Sequence, residues 1–384
     1  MRHGFSIRAG RRGSILVVVM VTVLFATFAL LAFQERAMTD LQVDQREVLA
    51  RRLRMEAYSA LEVTMAVLKE FSDVYKGLRS PAEGWGDPLT FAGYTPGAGR
   101  RVEVSFEDES GLISLPRVDA PTLVRLFRHW EVAEPDAEQL ADAMIGWMKA
   151  GHKYATSVHP DYEQASVPYE EPGRPLRSWS ELAAIIKVRE KLFSEDGRPN
   201  ELWQRLTSSV SLLDFPLPNI NGARADLLAA IGQFNSLQQE NITDFLRGTG
   251  TYKLKGPGYF QEASEASRIA SGPGGITTGF GSTISALRIN VEVFEGRMSF
   301  RLSAVISPEG VAKAVTTSAG TNRPKDAGKA AQAAKEVAPS APVATTSATA
   351  VKGVGSVASG GPTKVLKYPF TLLALKEGGE SNRK

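Results

Sequence analysis

The chain has 384 residues, 43% of them hydrophobic, which is long enough for two or three modest domains with a buried core and excludes a chain disordered throughout. It has no cysteine, so disulfides, thiolate metal sites and a cysteine nucleophile are excluded. The formal net charge is +3, but residues 1–13 hold four arginines and no acid, so the remainder, with 41 basic and 42 acidic residues, is a poor general nucleic-acid binder.

Residues 11–33, RRGSILVVVMVTVLFATFALLAF, join two arginines and a glycine to an uncharged apolar run without proline. Ser14 to Phe33 is 20 residues, about 30 Å as a helix, the thickness of a bilayer's hydrocarbon core. A cleaved secretory signal has a shorter apolar region, about 7 to 15 residues, ending in a small-x-small site. No A-x-A occurs between Ser14 and Arg36. Arg2, Arg8, Arg11 and Arg12 precede the span, a bias that keeps the N-terminus cytoplasmic and sends the bulk across. The residues alone read as a single-pass anchor over 14–33, after a basic leader over 1–13. No Gly or Pro interrupts the chain from Gln34 to Phe71, and Leu49, Leu53, Ala57, Ala60, Leu61, Thr64 and Leu68 recur at spacings of three and four. This predicts an amphipathic stem helix over 34–78, with Arg46, Arg51, Arg52, Arg54, Glu56 and Glu62 mostly off its apolar stripe. Span and stem together make a rod of about 60 residues, on the order of 90 Å, longer than an anchor requires.

Within residues 79–118, RRVEVSFEDESGLISLPRVD alternates at Val102, Val104 and Phe106, turns through DESG and resumes at Leu112, Ile113 and Leu115. It reads as a strand, a turn and a second strand. Residues 119–250 read as helical: APTLVRLFRHWEV, EQLADAMIGWMKAG and SWSELAAIIKV carry apolar residues at helical spacing, with Asp136 and Ser178 or Ser180 as N-cap signals. In the linker-and-hairpin segment 251–310, GPGY and SGPGG read as glycine-proline linkers, and Leu287 to Val293, a turn at Glu295 and Gly296, and Met298 to Leu302 as a β-hairpin. Residues 311–363 are rich in Ala, Thr, Ser, Lys, Gly and Pro, with no aromatic between Phe300 and Tyr368, and read as a flexible tract. KVLKYPFTLLAL, within 364–384, returns as a last strand, making the tract an insertion in a hairpin. The fold class expected is α+β: a long N-terminal helix, an antiparallel-sheet head and an inserted all-helical domain. His3, His129, His152 and His159 fall on no tight metal-ligand spacing, and no G-x-S-x-G, H-E-x-x-H or P-loop pattern occurs, so no enzyme is expected.

Gly13, Ser14 and the apolar helix behind a short basic leader resemble the class III signal of type IV prepilins and type II secretion pseudopilins. The resemblance implies a prepilin peptidase cutting between Gly13 and Ser14 and methylating Ser14, with Arg11 and Arg12 setting membrane orientation. The family's usual glutamate, five residues into the mature chain, is here Val18. The pseudopilin that characteristically lacks it is general secretion pathway protein K, and other stretches resemble that family. Residues 108–116 resemble its DESGKINLN, with Ser114, Leu115 and Pro116 replacing the family's residues around the asparagines. The helical region resembles its insert, including a Trp-containing helix end and an ELxxI helix. Where the family has DWxDxD, this chain has Gly146, Trp147, Met148, Lys149, Ala150 and Gly151. The acidic run Glu107, Asp108 and Glu109 reads as a solvated turn, with calcium, the one cofactor the resemblance raises, as the alternative. LPNINGARADLLAAIGQFNSLQQENITDFLRG, residues 217–248, resembles NINTAxxxxL, shared by protein K and helix-hairpin-helix DNA-binding modules. Arg224 and Arg247 are its only basic residues, which favours a packed helical pair and no nucleic-acid partner.

The resemblance implies an inner-membrane, single-pass minor pseudopilin with its bulk in the periplasm. It would stand at the tip of a type II secretion pseudopilus, with other minor pseudopilins, the major pseudopilin and the prepilin peptidase as partners. It would start pseudopilus assembly and help export folded proteins across the outer membrane. A minor type IV pilus subunit, a membrane-tethered DNA-uptake protein and a non-cleaved single-pass scaffold are the alternatives.

Overall fold

A computed structural model describes residues 11–156, 162, 168–315 and 369–378. It opens on α1 (Arg11–Tyr75), 65 residues without a break. The helix stops where Lys76 and Gly77 take positive φ (58° and 134°) and Gly77 N–H donates back to Ser72 O at 3.0 Å. Its two halves differ in burial. The side chains from Leu16 to Val48 are exposed, whereas Leu53, Ala57, Ala60, Leu61, Thr64 and Leu68 are buried, as their spacing predicts. Each buried leucine contributes about 2 kcal/mol relative to exposure.

The chain continues through α2 (Pro88–Phe91), β1 (Arg100–Asp108) and β2 (Ile113–Ser114) into a helical segment: α3 (Ala120–His129), α4 (Glu134–Met148), α5 (Ile186–Leu192) and α6 (Glu201–Ser209). After β3 (Val210–Ser211) follow α7 (Ala225–Ala230), α8 (Ser236–Arg247) and α9 (Ala266–Ala270), then β4 (Leu287–Glu295), β5 (Met298–Ser307) and β6 (Thr371–Gly378). The fold is α+β. One antiparallel sheet has the order β1-β4-β5-β6. The predicted hairpin is β4–β5, closing at Glu295↔Met298 with Gly296 at φ 61°. β1 pairs with β4 across the whole helical segment, setting Val102, Val104 and Phe106 opposite Val293, Val291 and Ile289. The buried stripe of α1 packs on the face carrying Ile289, Val291, Val293, Leu302, Ala304 and Ile306. A second core, around Leu123, Phe127, Leu140, Met144, Leu206 and Leu228, holds the helical segment together.

One expectation is refined and two are corrected. The strand after DESG is two residues long and does not pair with β1; it pairs parallel with β3, which follows α6. A 3₁₀ turn (Glu109–Gly111), capped by the Asp108 side chain through Ser110 N–H, carries the chain off the sheet, so the segment leaves its neighbour instead of folding back. Asp136 is not an N-cap: α4 begins after Ala133, and Asp136 lies in its first turn, paired to Lys191 at 2.8 Å. Ser178 stands at an N-cap position but makes no capping bond, its hydroxyl meeting that of Ser180 instead. The working side-chain caps are Asp87 on α2, Asp119 on α3, Asn200 on α6 and Asn235 on α8, the last closing a box with Gln238. β6 forms beside β5 as the last strand. The expected flexible tract lies, from residue 316 to 363, outside the described residues, as do Arg2, Arg8, His3 and His159.

Candidate functional site: the stem and the head junction

Gly13, Ser14 and Val18 all lie in α1, with Arg11 and Arg12 in its first turn. The helix from Leu16 onward is apolar enough to cross a bilayer, and none of the described residues of the head covers its apolar span: Val18 is 58% exposed and Phe25 70%. This fits a single-pass membrane anchor.

Where the stem enters the head, Glu56 is buried on the apolar side of α1, against the sequence expectation. Tyr94 OH (2.6 Å) and Gly97 N–H (3.2 Å) donate to Oε1, and Arg100 donates to Oε2. Arg100 Nε also reaches Glu295 Oε2 at 3.1 Å. Burial works against the Glu56 charge, but the Tyr94, Gly97 and Arg100 donors together hold its carboxyl below the ordinary range. Burial and the neighbouring carboxylate push Tyr94 up to about 12. The knot fixes the first residue of β1 to the stem.

At the other end of β1 the two motifs singled out by sequence, DESG and NIN, meet. Asp108 Oδ1 accepts from Ser110 N–H (2.9 Å) and Ser110 Oγ (2.6 Å), and its Oδ2 accepts from Asn219 Nδ2 (2.7 Å). Asn219 also donates through Nδ2 to Arg79 O (2.9 Å) and through its backbone to Ser110 O (2.7 Å). Ser285 N–H, just before β4, donates to Ser110 Oγ at 2.9 Å. Asn221 binds the incoming linker, accepting from Phe260 N–H (2.7 Å) and donating to Phe260 O and Ser282 O. Stem end, sheet and helical segment are thus tied by a few polar side chains, Ser110 and Asn219 buried and Asp108 and Asn221 half-buried, each with hydrogen-bond partners.

Enclosure of Asp108 raises its pKa from the ordinary 3.8 to about 6, with the Ser110 and Asn219 donors opposing. A raised carboxyl pKa favours folding in the protonated form. This contribution is complete below pH 4 and lost as pH rises through 6, about 3 kcal/mol in all. Urea unfolding between pH 4 and 7 should show that fall, and Asp108→Asn should remove it.

The candidate calcium residues do not converge. Asp108 turns into the junction, whereas Glu109 accepts from Arg288 Nε (2.7 Å) and Ser211 Oγ (3.1 Å), and Glu107 from Asn290 Nδ2 (3.1 Å). Their oxygens are taken by protein donors, and the three do not fit one cation. Among the described residues no group of three or more His, Asp or Glu is placed to hold a metal. His152 and Thr156 instead bind Asp142 of α4: His152 Nε2 at 2.6 Å, Thr156 N–H and Oγ1 each at 2.8 Å. Burial opposes ionisation of Asp142, and these donors outweigh it and lower its pKa. No sequence spacing announced this knot.

The α7–α8 segment is a packed pair. Leu227, Leu228 and Ile242 are buried, Gln239 Nε2 closes the turn on Phe234 O at 2.6 Å, and Arg224 donates to Ser208 O at 2.6 Å. Of the segment's two arginines, Arg224 is exposed and already spends a donor on the chain's own backbone.

Residues 114–195, from β2 past α5, match the family model described as type II secretion system (T2SS), protein K. Among solved structures, a chain of the crystal structure of the GspK-GspI-GspJ complex from the enterotoxigenic Escherichia coli type 2 secretion system is similar with a TM-score of 0.44 and 14% identity. The match covers 70% of this chain and 95% of that one. A comparison with curated proteins finds no match. At residues 114–195, therefore, the chain carries a domain similar to that of type II secretion system protein K.

Proposed function

We propose that this chain caps a type II secretion pseudopilus: it waits in the inner membrane by α1, binds other minor pseudopilins through its periplasmic head, and starts the filament to which major subunits add from below. The observation that carries the reading is the order of parts along the stem. The apolar span is at one end, and β1 starts beside Glu56, 23 residues after Phe33. β1 runs away from the span to Asp108, where Asn219 reaches the stem's end at Arg79 O. The protein K domain is therefore attached at the end of the head farthest from the membrane. A bulky domain there is compatible with an end position and obstructs a subunit stacked above it.

Val18 supports the same reading. A carboxylate in lipid needs a partner, and a subunit with no neighbour above its N-terminus has none to offer. The head's partners would be minor pseudopilins of the kind named in the Escherichia coli complex, with export of folded proteins across the outer membrane as the outcome.

The test is the intact mass and N-terminal sequence of the chain recovered from its native membrane, with and without an active prepilin peptidase. The expected product starts at methylated Ser14 only when the peptidase is present, and Gly13→Val should leave residues 1–13 attached. A wild-type chain that keeps Met1 in the presence of the peptidase sinks the proposal.

A further inference from the structure

β6 is held differently from the rest of its sheet. Among the described residues it is the outer strand, paired on one side, to β5, and the pairing is broken by an irregularity between Val305 and Ile306. The stem lies over β4 and β5, so β6 gains little cover from it. A helix about 10 Å wide spans roughly two strands spaced about 4.8 Å apart. Thr371, Leu372, Ala374, Leu375, Lys376 and Glu377 are accordingly exposed, although Leu372 and Leu375 oppose the core residues Ile306 and Ala304. Only Phe370, 5% exposed just before the strand, sits in the core, with Leu373 half-buried beside Phe215, Ala286 and Ala312.

The opposite end has a single fastening. Arg54 Nε (3.0 Å), Arg54 Nη2 (2.7 Å) and Tyr58 OH (2.5 Å) all donate to one oxygen, Glu377 Oε1. Arg54 and Tyr58 are one helical turn apart on α1, so the stem itself presents the catch. Arg54 and Glu377 are at the surface, where such contacts are weak and readily exchanged for water, while Tyr58 is half-buried against the core. Connection length points the same way. Two residues join β4 to β5, whereas 63 (308–370) separate β5 from β6. Closing the longer loop opposes pairing by more entropy.

We propose that β6 is a strap, hinged at Phe370 and latched at Glu377, which peels from the sheet while β1, β4 and β5 stay folded. Its opening bares the β5 backbone from Arg301 to Ala304 and frees Arg54 and Tyr58 beside it. The bared edge lies toward the membrane-side end of the head, because β5 starts opposite Glu295, which Arg100 links to Glu56. The head thus has two states that differ in one strand and one latch.

Hydrogen exchange of the full-length chain in detergent, read by mass spectrometry, tests the strap. Amides of Ala374 to Gly378 should exchange about 100-fold faster than those of Ile289 to Val293, by an opening insensitive to low urea. Glu377→Gln should speed them about threefold further and leave β4 unchanged. The chain has no native cysteine, so Ser303→Cys with Lys376→Cys, opposed across β5 and β6, can be oxidised to one defined crosslink. The crosslink should bring β6 exchange down to the β4 rate, and reduction should restore it. Wild-type β6 amides as protected as β4, or fast exchange that survives the crosslink, would overturn the proposal.

Discussion

Gly111→Ala should destabilise the head by about 3 kcal/mol, the upper range of an overpacking change. A Cβ on Gly111 would lie 2.4 Å from Gly222 O, and one on Gly222 would lie 2.3 Å from Asp108 Oδ2. Neither glycine is there for a positive φ; both are there because two backbones and a carboxylate pass within contact of each other. The obstacle at Gly111 is main chain, so no rotamer change relieves it, and the DESG turn must separate from the NIN turn. The Asn219 bonds to Asp108 and Arg79 O would be strained with it. Gly281→Ala is the control: its Cβ would meet nothing nearer than Leu217 at 3.6 Å, and its φ is not positive. It should change stability by less than about 0.5 kcal/mol. Urea midpoints at constant slope decide the matter. The double variant Gly111→Ala with Gly222→Ala should cost less than the sum of the two, since both press on one crossing. Additive costs, or a neutral Gly111→Ala, would show that the crossing is not tight.

The same crossing explains what was legible in the sequence and what was not. Periodicity found the elements, because burial selects every second residue of β1 and β4 and every third or fourth of α1, and each pattern is local. It could not find partners. Asp108 and Asn219 are 111 residues apart, and nothing in either stretch says that one caps the other. DESG reads as a turn between two strands, and that pattern leaves the second strand's partner open; here the partner comes after α6. The N-cap at Asp136 failed for a related reason. An acid near a helix start satisfies the dipole from the first turn as well as from the cap, and only geometry separates the two. Glu56, by contrast, left a readable signal. It stands three residues after Leu53 and four before Ala60, on the apolar face of the stem, and a charge there requires a buried partner. The candidate calcium residues show the reverse case. Three consecutive acids look like a cluster, but successive residues of a strand point to opposite faces, and Glu107 and Asp108 part accordingly.

That buried partner makes Glu56→Ala the second large effect, a loss of about 3 kcal/mol. Removing one member of an enclosed ion pair leaves the other uncompensated, at a cost of about 3 to 5 kcal/mol. Arg100 keeps Glu295, at 3.1 Å, which sets the loss at the lower limit. The hydroxyl of Tyr94 and the N–H of Gly97 would also lose their acceptor. Its pH dependence separates this site from Asp108. The Glu56 pKa is lowered from its ordinary 4.5, so its stabilisation is complete above 4.5 and lost as pH falls through the folded-state value. Asp108 acts in the opposite sense, losing stability as pH rises from about 4 to 6. Wild-type stability should therefore climb with pH below 4.5 and decline above it. Glu56→Ala should flatten the climb and keep the decline; Asp108→Asn should keep the climb and flatten the decline. Tyr94→Phe, which removes one donor and keeps the ion pair, should lose about 1 kcal/mol and move the climb to higher pH. If Glu56→Ala leaves the acid limb unchanged, the carboxylate does not hold the stem to β1, and the packing of Leu53, Ala57 and Leu61 on the sheet suffices.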